Sequence, residues 1–147
     1  MNSQCNRGGN GDEIKRILEK IVAMQREAVK VEVGQEMCDS FLGNNDLCRF
    51  RCNTRPLQVF TDDDAPWHTP VHRESSNCHM DDDDKSCILR VEKVEDGTAT
   101  FRALKDCGFD EDNRRRFEST DSFIIIKLGC ICALRCLKDT FVDICIR

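Results

Sequence analysis

Apolar residues near the N-terminus recur at helical spacing. They stand in alternating steps of three and four residues, at Ile14, Ile17, Ile21, Met24, Ala28 and Val31. Asn10 is placed to cap the first turn, Glu13 completes a capping box, and Gly34 is a natural stop. The pattern predicts one amphipathic helix packed on the core of its own chain. A helix-mediated contact between subunits is the alternative.

Short alternating runs further along the chain predict β-strands. Residues 57–60 form one such run directly after Pro56. Residues 87–94 and 98–104 flank an acidic turn that ends in Gly97, a pattern typical of a β-hairpin.

Residues 122–134 are the most apolar run and predict a buried strand, and residues 140–146 predict a last one. The polar residues 106–119 between the hairpin and this run indicate a connection. The sequence therefore predicts an α+β fold, with an N-terminal amphipathic helix followed by a small antiparallel sheet or sandwich of about five strands.

One segment, residues 62–84, carries eight acidic side chains and a single basic one, Arg73. It contains few apolar residues, so we expect a solvated acidic loop. The whole chain has 147 residues, the size of one domain. We predict a flexible N-terminal segment, 1–11, and a single cysteine-rich domain, 12–147.

Charge and hydropathy exclude two classes of partner. The formal net charge of -5 has the wrong sign for a protein that binds the phosphate backbone of nucleic acid. The polar start of the chain has no apolar signal-peptide core, and no run reaches 18 apolar residues. We therefore expect neither nucleic acid nor a membrane as a partner.

Cysteine is the unusual feature of the composition, with 11 among 147 residues. This content is just under the level typical of secreted disulfide scaffolds and far above that of an ordinary cytosolic domain, yet no secretion signal is present. Metal ligation, buried free thiols or disulfides formed after the producing cell opens would each resolve the conflict. Because the count is odd, at least one thiol stays free, binds metal or pairs with another chain.

Cys48 and Cys52, followed by His68 and His72, match the spacing of a Cys2His2 zinc site. Pro70 lies between the two histidines and opposes the helix from which such a site presents them. We favour unliganded side chains or disulfide partners here and predict no bound metal or cofactor. The alternative is a zinc-stabilised Cys/His binding module that draws ligands from Cys48, Cys52, His68, His72, Cys78 and His79.

A second cysteine cluster consists of Cys130, Cys132 and Cys136. On an extended strand these even-numbered positions would share one face. Cys130 and Cys132 would lie at the limit of disulfide reach with nearly parallel side chains, so we expect their partners to come from elsewhere. Neighbouring strands, another subunit or a metal are the options.

Catalytic motifs are missing from the sequence. It contains no Gly-x-Ser-x-Gly elbow, no phosphate-binding Walker loop and no His-Glu-x-x-His zinc motif. We therefore predict that the protein is not an enzyme.

Four stretches of the chain, within residues 38–137, resemble one known family, the cysteine-rich outer spore coat and exosporium proteins of the CotY/CotZ/ExsY group. They are Phe41-Leu42-Gly43, Asn53-Thr54-Arg55-Pro56 leading into Val59-Phe60-Thr61, the hairpin from Arg90-Val91-Glu92 to Leu104, and Cys130-Ile131-Cys132-Ala133-Leu134-Arg135-Cys136-Leu137. The chain departs from the family at Thr98, which stands where cysteine is frequent, and at Lys127, which replaces an acidic residue. The acidic segment 62–84 is also unusual for this group.

The resemblance implies a structural morphogenetic protein at the spore surface, in the outer coat crust or the exosporium. Such a protein is made in the mother-cell cytoplasm, assembles with itself and with other coat or exosporium proteins into a two-dimensional lattice, and is locked by intermolecular disulfides. Formation of the disulfides outside the reducing cytosol would resolve the conflict posed by the cysteine content.

On this hypothesis the cysteines divide by their predicted positions. We expect buried or inter-strand roles for Cys130, Cys132, Cys136 and Cys145. The remaining candidates lie mainly in predicted loops or at strand ends, where we expect exposed cross-links, at Cys5, Cys38, Cys48, Cys78, Cys87 and Cys107.

Overall fold

A computed structural model describes residues 10–33, 52–61, 65–71 and 85–144 of the chain. Within these ranges, helix α1 spans Asn10–Val33 and a 3₁₀ turn spans Leu128–Cys130. The strands are β1 (Leu57–Phe60), β2 (Thr69–Pro70), β3 (Lys85–Ser86), β4 (Ile88–Val94), β5 (Thr98–Phe109), β6 (Arg115–Lys127) and β7 (Ala133–Cys136).

Five of these strands form one antiparallel sheet in the order β6-β5-β4-β1-β7. Strands β2 and β3 form a separate two-stranded sheet. The predicted α+β fold with one N-terminal helix and about five antiparallel strands is therefore confirmed. Strand β1 has the predicted bounds, and the hairpin of β4 and β5 lies where its acidic turn was predicted.

Helix α1 begins at Asn10 and ends one residue before Gly34, as the periodicity predicts. Its first two residues thus belong to the N-terminal segment that we expected to be flexible. Asp12 and Glu13 lie in the first turn, where negative charge is favourable to the helix dipole. One stripe of the helix is buried on the sheet, so the helix packs on its own chain as predicted, through Ile14, Leu18, Ile21 and Val22.

Gln25 joins the helix to the sheet by polar contacts. Its side chain is buried, and Nε2 donates to the carbonyl oxygen of Val91 at 2.8 Å. Its Oε1 accepts from the backbone N–H of Arg55 at 3.1 Å. Both ends of the amide are thereby satisfied, which removes the cost of burying it.

The two faces of the sheet carry different apolar clusters. The larger cluster joins α1 to side chains such as Leu89 and Phe101. A smaller cluster contains Ile88, Leu104, Phe117 and Val142. Because successive side chains of a strand point to opposite faces, Ile88 and Leu89 place these clusters on opposite sides of the sheet. The chain after β7 therefore covers part of the face away from the helix.

The predicted connection at 106–119 is wrong, because β5 and β6 continue through it as a long hairpin with its turn at 110–114. The carboxylate of Asp106 accepts from Arg115 Nη2 at 2.7 Å, and Asp110 Oδ1 accepts the backbone N–H groups of Asp112 and Arg114 at 2.9 Å. The bond from the backbone N–H of Arg114 is the largest cause that lowers the pKa of Asp110 below its usual value, and the bond from Asp112 lowers it further. The outer part of this hairpin is exposed and is held by such bonds, so it needs no alternation of apolar and polar residues. The hydrophobic pattern of the sequence therefore did not indicate these strands.

The predicted strand at 122–134 is also wrong in its bounds and its burial. Strand β6 starts earlier and ends at Lys127, after which the 3₁₀ turn redirects the chain. Phe123 and Ile125 keep 49% and 64% of their surface exposed. An unbroken apolar run suggested burial on both faces, but none of the described residues covers the outer face at these two positions.

Two further predictions need correction. Residues 140–144 form no strand and contribute only the isolated bridge between Thr54 and Thr140, while 145–147 lie outside the described residues. Within the predicted loop 62–84, β2 pairs with β3 and Val71 is buried in the larger apolar cluster. Residues 62–64 and 72–84 lie outside the described part of the chain.

Candidate functional site

A buried polar network crosses the face of the sheet opposite the helix. The guanidinium of Arg90, which is only 5% exposed as a residue, donates to both carboxylate oxygens of Glu92 at 2.8 Å. It also donates to Thr54 Oγ1 at 2.9 Å and to the carbonyl oxygen of Asn53 at 3.2 Å. Arg102 Nε donates to the same carboxylate at 2.9 Å. One carboxylate thus bridges two largely buried guanidinium groups, so the three side chains together keep one positive charge.

Asn53 holds the C-terminal segment on this network. Its Nδ2 donates to the carbonyl oxygen of Val142, and its Oδ1 accepts the backbone N–H of the same residue, both at 2.9 Å. The backbone N–H groups of Asn53 and Thr54 both donate to the carbonyl oxygen of Thr140 at 3.0 Å. Arg55 adds a two-pronged ion pair to Asp139, at 2.7 and 3.0 Å.

Two of the stretches that carry the resemblance meet in this network. Asn53, Thr54 and Arg55 come from one stretch, and Arg90 and Glu92 from another. Their polar atoms hydrogen-bond one another and the backbone, which is a structural role. Asn53, Thr54 and Arg55 also line one small cavity, together with Met24, Gln25, Cys52 and Asp139. Its volume is about 30 Å³, roughly the space of one water molecule.

Among the described residues, the free thiols are Cys52, Cys87, Cys130 and Cys136. Three of them are exposed. Cys87, which we expected to be an exposed cross-link, is instead half-buried, because it packs against the smaller apolar cluster. Gln58 Nε2 donates to the Cys87 sulfur at 3.4 Å. The exposed thiols lie before β1, at the end of the 3₁₀ turn and at the end of β7, so they occupy different elements.

The surroundings of Cys52 make its thiol a weaker acid. Partial burial raises the pKa of this thiol above its ordinary value, and the negative charge of Asp139 raises it further. The positive charges of Arg114 and Lys138 act in the opposite direction but do not reverse the shift. Because the thiolate is the nucleophile, Cys52 is restrained at neutral pH although its sulfur is accessible.

The cysteine block at the end of the chain does not lie along one strand, which corrects the geometry predicted for it. The 3₁₀ turn separates Cys130 from Cys132, and β7 begins only at Ala133. Cys130 and Cys136 are exposed rather than buried, because one ends the turn and the other ends an edge strand opposite Leu57. Cys145 lies outside the described residues.

Two cysteines in the described part of the chain are not free. Cys107 and Cys132 are half-buried and disulfide-bonded. Cys107 Sγ also lies 3.7 Å from the carbonyl oxygen of Lys105. The exposed cross-link predicted at Cys107 is therefore corrected, because its sulfur is already engaged. The candidates Cys5, Cys38, Cys48 and Cys78 lie outside the described residues.

The zinc hypothesis concerns residues of which only Cys52 and His68 are described. His68 Nδ1 lies 3.0 Å from the carbonyl oxygen of Pro66. Across the ranges that the structure describes, no three His, Cys, Asp or Glu side chains group so as to hold a metal ion. Cys48, His72, Cys78 and His79 lie outside these ranges.

Exposed apolar side chains mark surfaces that sequence reasoning missed. Phe123 and Ile125 lie on β6, at one end of the strand order, and Ile17 and Met24 lie along one exposed flank of α1. The other end of the order is β7, which carries Cys136. Both β6 and β7 have a single neighbouring strand among those described. The sequence does hold an indication of this exposure on β6. Asp121 and Lys127 are charged and share the odd-numbered positions with Phe123 and Ile125.

No helix in the described ranges combines the length and apolarity that crossing a membrane requires.

Comparison with known proteins identifies one family. The family model described as "Spore coat protein Z" matches residues 3–139. No curated protein and no solved structure gave a match. The matched range covers α1, the whole five-stranded sheet and both stretches that build the buried polar network.

Proposed function

The chain belongs to the spore coat protein Z family, and from that premise we propose that its copies assemble into an ordered two-dimensional layer made covalent by intermolecular disulfides. As a member of this family it is a structural protein of the spore surface coat and not an enzyme. The proposal concerns how copies are joined to one another, and to other coat or exosporium proteins.

The observation that carries the proposal is the set of exposed free thiols on separate elements. A subunit with one reactive thiol links only into pairs, and a subunit with two links into chains or rings. A covalently continuous layer needs at least three per subunit. The described residues supply Cys130 at the 3₁₀ turn and Cys136 at the end of β7. Cys52 is a third, slower position.

The two edge strands of the described sheet would supply non-covalent contacts between copies before any disulfide forms. A flat layer needs heterologous contacts or several symmetry axes, because one two-fold contact closes at a dimer. Strands β6 and β7 offer two different edges, and exposed apolar side chains lie on β6 and α1. Non-covalent contacts of this kind would align the thiols, and oxidation would then make the layer kinetically inert.

Electron microscopy and electrophoresis test the two halves of the proposal separately. Native full-length protein, assembled in reductant, is expected to form ordered sheets in the microscope. After oxidation it is expected to run as a ladder of multimers without reductant and as a monomer with it. Absence of sheets overturns the lattice, and a purely monomeric band from oxidised material overturns the covalent links.

A pair of variants assigns the links to particular thiols. The double variant Cys130→Ser/Cys136→Ser is expected to lower the share of covalent multimers by roughly half or more, since it removes two of three exposed free thiols in the described chain. The matched control is Cys87→Ser, which removes a half-buried thiol and should leave the ladder unchanged. An equal loss in both variants contradicts the assignment.

A further inference from the structure

The segment around Ile131 holds a free thiol beside a disulfide. Cys130 is exposed and free, whereas Cys132, two residues later, is half-buried and disulfide-bonded. We call the sulfur that is bonded to Cys132 the third sulfur. A free thiol close to a disulfide is the arrangement in which thiol–disulfide exchange takes place, because a thiolate attacks one of the two bonded sulfurs.

The backbone brings both cysteines to the outer side of the segment. Ile131 between them is extended, with φ -91° and ψ 119°, and its side chain is fully buried in the larger apolar cluster. Neighbouring side chains alternate in an extended segment, so Cys132 points away from that cluster. The exposure of Cys130 places its sulfur on the outer side too. Two extended residues span about 6.6 Å between Cα atoms.

Hydrogen bonds hold this spacing. The backbone N–H of Ile131 donates to the carbonyl oxygen of Leu128 at 3.1 Å, and that of Cys132 donates to the carbonyl oxygen of Phe60 at 2.7 Å. With the backbone anchored on both sides of the buried Ile131, the remaining freedom of Cys130 is rotation of its side chain. That rotation carries its sulfur toward or away from the neighbouring disulfide.

We propose that Cys130 and Cys132 are alternative ends of one disulfide, which exchanges between them. The thiolate of Cys130 attacks the third sulfur and forms a new bond to it. The bond from the third sulfur to Cys132 breaks, its electron pair stays on Cys132 Sγ, and that sulfur takes up a proton in place of the one that Cys130 lost. The numbers of disulfides and of thiols are unchanged, so the step needs no oxidant.

A direct bond between Cys130 and Cys132 is not the product of this step. A Cα separation of about 6.6 Å is at the upper end of the range that disulfides span, and side chains on the same side of an extended segment run nearly parallel. The third sulfur avoids this restriction, because it lies about 2 Å from Cys132 Sγ and belongs to neither residue. It is therefore the atom that Cys130 attacks, with Cys132 as the leaving group.

The exchange deepens the proposed covalent assembly and rests on it. Before exchange, the exposed Cys130 is available for a link to another copy. After exchange, Cys130 is occupied and the free thiol belongs to the less accessible Cys132. The position of one internal disulfide thus controls whether the 3₁₀ turn offers a cross-linking thiol.

Counting free thiols in serine variants tests the exchange. Full-length protein is equilibrated at low concentration in a glutathione buffer and trapped with N-ethylmaleimide in denaturant, and the monomer is weighed by mass spectrometry. In Cys132→Ser, transfer of the third sulfur to Cys130 is expected to leave one alkylated thiol fewer than in the native chain. Without that transfer, Cys130 and the released third sulfur would both be alkylated. A count one higher than native therefore overturns the proposal.

Cys130→Ser is the matched control. It removes the attacking thiol and leaves Cys132 bonded, so its count should also be one below native. The double variant Cys130→Ser/Cys132→Ser releases the third sulfur and should return to the native count. Circular dichroism verifies that every variant is folded.

The native chain provides a measurement that needs no substitution. Tandem mass spectrometry of peptide 128–135 is expected to show a minor share of the third cysteine linked to Cys130 after equilibration. Links to Cys132 alone overturn the exchange. Because both measurements use the monomer, their failure leaves ordered sheets and the reducible ladder unaffected. Absence of sheets or ladder overturns the assembly without changing the thiol counts.

Discussion

At the scale of single residues, the accessible thiols are not equivalent. Cys52 is exposed, yet partial burial of its thiol and the nearby negative charge of Asp139 raise the pKa of that thiol. The same Asp139 is held by Arg55 in a two-pronged ion pair, and that pairing raises the pKa of the guanidinium. Residues that fasten the C-terminal segment therefore also slow the reaction of one thiol.

We expect Asp139→Asn to make Cys52 more reactive. A raised pKa leaves less thiolate at any pH below it, so removing the negative charge lowers the pKa and increases the thiolate fraction. The rate of Cys52 alkylation at neutral pH should rise, and the midpoint of its pH profile should move to lower pH. Peptide mapping by mass spectrometry measures this, with Asp143→Asn as the exposed control. An unchanged profile would show that Asp139 does not govern this thiol.

At the scale of elements, β4 is shaped by an irregularity in its pairing. The register with β5 shifts between Val91 and Lys93, which leaves Glu92 without a direct partner in the ladder. The shifted carboxylate reaches both Arg90 and Arg102. The bulge therefore places one carboxylate within reach of a guanidinium from β4 and a guanidinium from β5. Through Arg90 the same group of charges also holds the residues before β1.

Glu92→Gln is expected to lower the free energy of unfolding by about 2 kcal/mol. The amide removes the negative charge that neutralises Arg90, whose side chain is only 6% exposed, and leaves a buried cation without a counter-ion. Urea unfolding in reductant measures the loss.

The matched control is Glu95→Gln, since Glu95 pairs with Lys93 where both side chains are more than half exposed. Its cost should be below about 0.5 kcal/mol. Equal losses of unfolding free energy in the two variants would show that the buried ion pairs of Glu92 stabilise the fold no more than an exposed ion pair does.

Sequence patterns predicted some of these elements better than others. Helix α1, β1 and the hairpin of β4 and β5 follow from local periodicity, because each buries one face. Their limits are also marked in the sequence, by Gly34 after the helix, by Pro56 before β1 and by the acidic turn within the hairpin. The ribbon at 106–119 was missed, because pairing and the bonds of Asp110 and Arg115 hold it, and Phe117 is its one buried side chain. The end of β6 was missed because Leu128, the first residue of the turn, is as apolar as the strand before it.

At the scale of the whole molecule, the segment after β7 completes the fold. Val142 closes the smaller apolar cluster over Ile88, Leu104 and Phe117. It is held from the other end of the chain by Asn53, across 89 residues of sequence. The sheet is thus covered by the helix on one face and partly by this segment on the other.

Asn53→Ala is expected to release that segment. The substitution removes both side-chain bonds to Val142 and should lower the free energy of unfolding by about 2 kcal/mol. Limited trypsin digestion should cleave faster after the exposed Lys138.

The matched control is Asn113→Gly, because Asn113 lies in an exposed turn with a φ of 66°, a conformation that glycine adopts freely. Its digestion after Lys138 should match that of the native chain. Equal cleavage in the Asn53 variant and the native chain would show that the side-chain bonds of Asn53 do not hold the C-terminal segment in place.

The sequence by itself determined the fold class, the helix and the hairpin, and its cysteine motifs were sufficient to indicate the family. Tertiary structure alone decided which thiols are free, which apolar side chains of β6 remain exposed, and which polar side chains meet around Glu92. The physical reason is that periodicity records which residues are suited to burial, whereas exposure depends on what lies against them. Asn53 and Val142, or Arg90 and Thr54, acquire their partners only when distant segments fold together.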